Sequence, residues 1–359
     1  QFSIQDAPMS ELKEPETMPG NPDVGVSNLV LAQLRAEIKD LRNQLSTLET
    51  HVKNTSLRGR VRRLSAKLFG MRLHKFNQYR PRELFIPNKY RQPVPLQNPP
   101  LISIVTPSYN QGRFLEQTIL SVLDQDYPKL EYAVQDGGSK DETVAVLDRY
   151  RDRLIHAESR KDKGQGNAIN LGFAHATRGE IMAYLNSDDL LLPGCLNYVA
   201  AYFAANPDVD VVYGHRVIID TKGKEIGRWV LPNHSDQMLV WADYVPQETL
   251  FWRRSIWDKA GGKIDESFQF ALDWDMLLRF RDAGAKFVRL PRFLGAFRVH
   301  ESQKTSADMA ATGVPEMTKL RFRVHGQETD LADIRRNMNG YMFRHAWHHF
   351  LYQIGLSGA

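Results

Sequence analysis

Apolar residues recur along this chain in two rhythms, and the change between them marks out its parts. Leu31, Leu34, Ile38, Leu41, Leu45, Leu48 and Val52 alternate steps of three and four. That spacing holds one apolar seam on a helix wound at about 3.5 residues per turn, so residues 27–57 are predicted to form a coiled coil. Glu37 and Arg42 then fall on flanking positions where they pair between parallel strands. An amphipathic helix packed on its own domain is the competing reading. Strict spacing over about three heptads favours a homo-oligomer joined through residues 31–52.

From residue 101 onward, short apolar blocks replace the heptads. Strands are predicted over 101–106, 130–134, 154–158 and 180–185, with helices to about 123, over 141–150 and over 165–176. This alternation predicts an α/β fold, a mostly parallel sheet with helices on both faces, over residues 101–310. A helix after Pro193, a strand over 209–213, a hairpin around Lys222-Gly223 and a mixed region to about residue 300 follow. Residues 311–359 read as a helical tail rich in aromatics and His.

Composition divides the region before the sheet. Residues 1–26 carry four Pro and few large apolar groups and read as disordered or as a linker. Residues 81–100 carry six Pro, so 83–100 is predicted to be an extended linker. Between them, residues 58–82 hold nine Lys or Arg and no acid, interleaved with Val61, Leu64, Leu68, Phe69, Leu73 and Phe76. Such a stretch suits an anionic membrane surface, or equally an acidic patch of the same protein. The net charge of +5 is therefore local and the remainder of the chain is net negative, which argues against a nucleic-acid binder. A single cysteine, Cys195, excludes an internal disulfide framework and points to a reducing, cytoplasmic location. The chain opens on Gln rather than Met, so nothing about a targeting segment follows from its start.

The candidate chemistry collects at strand ends. In an open α/β sheet, ligands bind beyond the carboxyl ends of the strands. The first predicted strand ends in Pro107-Ser108-Tyr109-Asn110, where Tyr109 can stack on a base. The second ends in Asp136-Gly137-Gly138, a carboxylate beside backbone that a ligand can approach closely. The fourth ends in Asn186-Ser187-Asp188-Asp189, two acids able to cradle a hard divalent cation and its phosphates; an acidic turn capping a helix is the plainer alternative. Further on, Asp273-Trp274-Asp275 opens an apolar helix, either as caps or with one acid as a general base. His300 follows within thirty residues as a candidate metal or phosphate contact. Gly164-Gln165-Gly166 lacks the third Gly of a dinucleotide fingerprint, and no Gly-Lys-Ser/Thr loop marks a P-loop.

Together, Ile104 to Gln111, Gln135 to Thr143, Gly164 to Asn170, Tyr184 to Asp189 and Asp273 to Asp275 resemble, in order, the motifs of a family 2 glycosyltransferase of the GT-A type, inverting, from the bacterial surface-polysaccharide branch. The resemblance covers residues 101–305 and neither end of the chain. It implies a nucleotide-sugar donor, with Pro107, Tyr109 and Asp136 on the base and Asp188 on the ribose. Asn167, on the nucleotide side, stands where the family carries Asp. Asp189 and His300 would meet a divalent cation, Mg²⁺ or Mn²⁺, and Asp273 would be the base. Leu272 replaces an acid often found there, so Asp273 competes with Asp275 for that role. Gln247, Glu248, Trp252 and Trp274 are candidates for the side facing a glycan or lipid-linked glycan acceptor. A nucleotidyltransferase ranks second, for want of a Gly-rich basic loop after the first strand. A catalytically inactive adaptor organised by the coiled coil ranks third. The placement implied is peripheral, at the inner face of the cytoplasmic membrane.

Overall fold

The computed structural model describes residues 76–301 and 309–356. The described residues all belong to one compact unit, Phe69–Ala359. The predicted disordered stretch, the coiled coil and most of the basic segment lie outside the described residues.

The chain alternates β1 (Ile102–Ser108), α1 (Gly112–Leu123), β2 (Leu130–Asp136), α2 (Thr143–Tyr150), β3 (His156–Ser159), α3 (Gln165–His175) and β4 (Ile181–Tyr184). These four strands lie parallel in the order β3-β2-β1-β4. There follow β5 (Leu190–Leu191), α4 (Cys195–Ala205), β6 (Val211–Ile219), β7 (Glu225–Trp229), α5 (Asp236–Leu239), β8 (Phe251–Arg253), α6 (Arg254–Lys259), α7 (Leu272–Asp282) and β9 (Phe287–Arg298). They extend the same sheet as β4-β8-β6-β9-β5, with β7 paired to the outer half of β6. β6 and β9 run parallel, whereas β5, β7 and β8 pair antiparallel and come from the stretches with no βα rhythm. Helices α8 (Val314–His325) and α9 (Leu331–Gln353) complete the described fold.

Strand periodicity sorts the core into two layers, because alternate side chains point to opposite faces. Ile102 and Ile104 of β1, Tyr132 and Val134 of β2, and Ile181 and Ala183 of β4 pack with Leu115, Ile119 and Val122 of α1 and with α4. Val105, Ala133, Met182 and Tyr184 face the other way, onto Ile169 and Phe173 of α3 and the apolar side of α7. Because both faces are covered, the strands read as continuous apolar runs.

The region before β1 lies along this sheet. Arg82 and Glu225 exchange backbone hydrogen bonds of 3.0 and 2.8 Å, so residues 76–82 pair with the start of β7. The Arg82 guanidinium lies 2.5 Å from the buried Glu225 carboxylate, so the end of the basic stretch meets an acid of its own chain. Within 83–100, Tyr90 is buried, and its carbonyl accepts a 2.6 Å hydrogen bond from Arg292. Gly194 makes room for that carbonyl: its φ is +71°, and a Cβ there would sit 1.9 Å from Tyr90 O.

Candidate active site

β1, β2, β3 and β4 all end on one edge of the sheet, and a cleft of about 860 Å³ opens there. The order β2-β1-β4 makes β1 the switch point, where the connections to its two neighbours leave in opposite directions.

At one end of the cleft stands Tyr109, 63% exposed, on the loop after β1. That loop is tied to the one after β2, with Asn110 N donating to Ser139 Oγ at 2.7 Å and Lys140 N donating to Asn110 Oδ1 at 3.1 Å. Gly137 lies between Tyr109 and Asp162, and a Cβ on it would come within 3.2 Å of the tyrosine ring and 3.0 Å of the Asp162 carboxylate. The result is a narrow slot with an aromatic face and an acceptor carboxylate. Pro107 lines it too, while Asp136, expected to meet the base, does not. The Asp136 carboxylate is fully buried and takes hydrogen bonds from Gly138 N (3.0 Å), Ser139 N (2.8 Å), Ser139 Oγ and Ser159 Oγ (2.6 Å). With its lone pairs occupied it shapes the loop, and Asp162 faces the ligand space.

The β4–β5 turn carries Asp188 and Asp189. Arg298, at the end of β9, fixes it with 2.9 Å from its amide to Asp189 Oδ1 and 2.8 Å from Nε to Asp188 O. From α1, Thr118 Oγ1 reaches the carbonyls of Ser187 and Asp189 at 2.9 and 2.8 Å. His300 Nε2 lies 2.9 Å from Asp188 Oδ2, and its Nδ1 lies 3.2 Å from Arg113. Asp189 is buried, and that burial, together with the neighbouring Asp188 and Glu248, raises its pKa well above the carboxylate range. Among the described residues no group of three or more His, Cys, Asp or Glu forms a metal site. The excess of hard anionic oxygen at Asp188 and Asp189 nonetheless fits a divalent cation, whose charge would offset the cost of burying Asp189.

Opposite, Gln247 donates to Tyr184 O at 2.7 Å and accepts from Asn186 at 3.1 Å, while Asn186 accepts from Gln165 at 2.8 Å. Glu248 chelates Arg216 through Nε (2.8 Å) and a terminal nitrogen (2.5 Å). The Arg216 guanidinium lies over Phe297 and Trp229, 4.4 and 5.1 Å from the ring centroids, and Phe76 packs against both rings. All of these line the cleft.

Asp273, Trp274 and Asp243 line the same wall. Burial lifts the Asp273 pKa to about 6, against hydrogen bonds from backbone amides that lower it. Asp243 is exposed to the cleft, with protein on its other sides; the water that this protein displaces, then repulsion from Asp273, raises its pKa. The two carboxyls repel each other, and with Asp243 raised further than Asp273, Asp273 ionises first, while Asp243 is still neutral. Asp275 turns away into the protein, holding Arg279 at 2.9 Å and Arg323 at 2.6 Å.

Two further expectations change. Asn167 does not line the cleft; it accepts from Lys163 N at 3.2 Å and donates to Glu266 at 3.0 Å. Trp252 is fully buried among Phe173, Trp257 and Phe280, so its ring offers no face to a sugar. Sequence reasoning also missed Asp162, Arg216, Asp243 and Arg298. Asp162 was within reach of the strand-end argument, since it follows β3 on the same edge. Arg216 sits mid-strand and Asp243 in an unpatterned loop, so only the fold brings them in.

A slot for a planar ring, paired carboxylates suited to a cation and a half-buried carboxylate opposite, at one edge of a mostly parallel sheet, are the arrangement of a GT-A fold. Residues 103–261 match the profile described as glycosyl transferase family 2. The O-antigen biosynthesis protein RfbC of Myxococcus xanthus is 31% identical over 235 residues, covering 64% of this chain but 18% of that protein. An uncharacterized glycosyltransferase of Mycobacterium tuberculosis is 30% identical over 185 residues, covering 50% of this chain and 68% of its own. The chain belongs to glycosyl transferase family 2, and it spans under a fifth of the length of RfbC. In fold it is similar to Staphylococcus aureus TarS 1–349, solved in complex with UDP-GlcNAc, with a TM-score of 0.52 at 17% identity over 68% of this chain and 72% of that one. It is also similar to the mannosyltransferase PcManGT from Pyrobaculum calidifontis, solved with GDP-Man and Mn²⁺, with a TM-score of 0.51 at 17% identity over 81% and 79%.

Proposed function

We propose that this chain is an inverting glycosyltransferase, moving a sugar from a nucleotide-sugar donor to a hydroxyl of a glycan or lipid-linked glycan during surface-polysaccharide synthesis. The observation that carries the reading is one cleft holding the Tyr109–Asp162 slot, the Asp188–Asp189 pair and the half-buried Asp273. The base stacks on Tyr109 beside Gly137, with Asp162 accepting a hydrogen bond from its edge. Asp188 reaches the ribose, braced from behind by His300.

Asp273 takes the proton of the acceptor hydroxyl as that oxygen attacks the anomeric carbon. The bond from the anomeric carbon to the diphosphate breaks in the same displacement, and the nucleoside diphosphate leaves. A pKa of about 6 leaves Asp273 ionised at neutral pH yet basic enough to receive a proton. Asp189 and Asp188 would hold a divalent cation, Mg²⁺ or Mn²⁺, and when bound it supplies positive charge for the departing diphosphate. Gln247 borders the acceptor space, and Glu248 acts through Arg216, which it holds in place; Trp274, like Trp252, is fully buried, its indole nitrogen donating to Leu239 O at 2.7 Å, and offers a sugar no ring face. RfbC supports the surface-polysaccharide setting as an O-antigen biosynthesis protein, and PcManGT supports a cation by the Mn²⁺ in its complex. Self-association through residues 31–52 and a contact of residues 58–82 with the inner face of the membrane belong to the same proposal.

The test is release of nucleoside diphosphate from a panel of UDP- and GDP-sugars, with Mn²⁺, with Mg²⁺ and with chelator. Turnover with at least one donor, lost with chelator and reduced at least ~10³-fold in Asp273→Asn, is expected. No release from any donor, or full activity in Asp273→Asn, overturns the assignment.

A further inference from the structure

The C-terminal helix α9 is built inside out. The residues it buries against the domain are Tyr341, His345 and His349. Its outward face carries Met342, Phe343 and Trp347, and beyond its end Ile354 and Leu356, with Phe343 74% and Trp347 48% exposed. A surface helix ordinarily does the opposite, burying its aromatics and wetting its histidines. The exposed set is contiguous along the helix: Phe343 and Trp347 are one turn apart, and Trp347 lies 5.8 Å, centroid to centroid, from Phe350. A patch of this kind on a soluble domain marks a surface that is covered in use.

Charge identifies what covers it. From Ile334 to Ala359 the sequence has no Asp or Glu, while Arg335, Arg336 and Arg344 are exposed on α9. A second copy meeting this face about a twofold axis would bring those arginines together with only Asp333 of the first turn, already 3.5 Å from Arg336, to answer them. Aromatic and aliphatic side chains flanked by arginines instead match the boundary of an anionic bilayer, rings at headgroup depth and guanidinium groups on phosphates. We propose that α9 lies in the plane of an anionic membrane, inserting Phe343 and Trp347 and setting Arg335, Arg336 and Arg344 among the headgroups.

The inner face of α9 connects this contact to the cleft. Tyr341 packs on Tyr244 at 4.6 Å and His345 on Trp229 at 6.4 Å, and both partners line the cleft wall. One layer of side chains thus separates the membrane helix from the acceptor side. That arrangement suits an acceptor carried on a lipid and deepens the transfer reading on this single point. The membrane contact itself does not depend on it.

The experiment takes the full chain and vesicles of phosphatidylcholine, with and without phosphatidylglycerol, and uses no donor. Wild type is expected to partition onto the phosphatidylglycerol vesicles, with Phe343→Ser/Trp347→Ser at least ~10-fold weaker. Bromine-labelled lipid should quench part of the tryptophan emission, and that part should vanish in Trp347→Phe. Thermal melts matching wild type certify the fold of both variants. Unchanged partitioning of the double variant, or unchanged quenching in Trp347→Phe, overturns the proposal and leaves membrane binding to residues 58–82. A fall in oligomer mass in the double variant, with vesicle binding intact, overturns it in favour of a second copy. If wild type hydrolyses no donor but α9 still binds vesicles, the transfer reading fails alone.

Discussion

At the scale of single residues, Asp273 and Asp275 are two positions apart and have opposite fates. Asp275 is neutralised by two arginines, whereas Asp273, half-buried and in no such ion pair, has its pKa raised to about 6. If Asp273 is the base, kcat/KM should fall about tenfold per pH unit below pH 6 and level off above it. Asp243→Asn mimics the neutral acid that Asp273 faces when it ionises, so this variant should keep the same acid limb; a limb displaced by a full unit would give Asp243 the titration. Ionising Asp273 is harder in the folded chain than in the unfolded one, so its contribution to stability is present at low pH and lost as pH rises through about 6. Asp273→Asn should therefore match or exceed the wild-type Tm at pH 8 while losing activity, a pairing that unfolding cannot mimic. Sequence alone could favour Asp273 but not decide it, because the Arg323 that claims Asp275 lies 48 positions further on.

At the scale of elements, the βα rhythm from residue 101 to the fourth strand was legible because each strand is covered on both faces and each helix on one. Of the later strands, β6 and its hairpin with β7 around Lys222-Gly223 were legible too, but β5, β8 and β9 were not. β5 is two residues long, β8 three, and β9 bends through Pro291 and Gly295, so none carries a period for a pattern to catch. Their job is to deliver Arg298 to the β4–β5 turn and Arg216 to the cleft wall, by pairings that exist only in the assembled sheet. Asp136 shows the complementary failure: its position at a strand end was readable, but its four donors were not, since Ser159 arrives from another strand. The α7–α8 contact makes an element-scale prediction. Asp275→Asn leaves Arg279 and Arg323 without their common partner and should cost about 3 kcal/mol, the low end for a broken buried pair because Arg323 keeps access to water. A thermal melt should show a Tm lower by several degrees with nucleotide binding retained, and an unchanged Tm would mean the pair braces nothing.

At the scale of the whole molecule, the proposed membrane contacts of α9 and of the basic stretch 58–82 lie at opposite ends of the sequence, and stable attachment generally takes two such signals. Removing residues 1–68 should lower the oligomeric mass measured by light scattering, and should weaken vesicle binding without abolishing it. Complete loss of binding would leave α9 no part in attachment; unchanged mass would remove the role proposed for the heptads. The cut must stop there for a reason seen in the cleft itself. Phe76 packs on Trp229 and Phe297, so the polypeptide enters its catalytic domain through the wall of its own binding site. A boundary drawn by homology alone, at residue 103 where the family match begins, would excise that wall along with Arg82 and Tyr90. The minimal enzyme is thus longer than the conserved domain, and a shortened protein that failed to glycosylate would be reporting a missing side of the cup rather than a missing anchor.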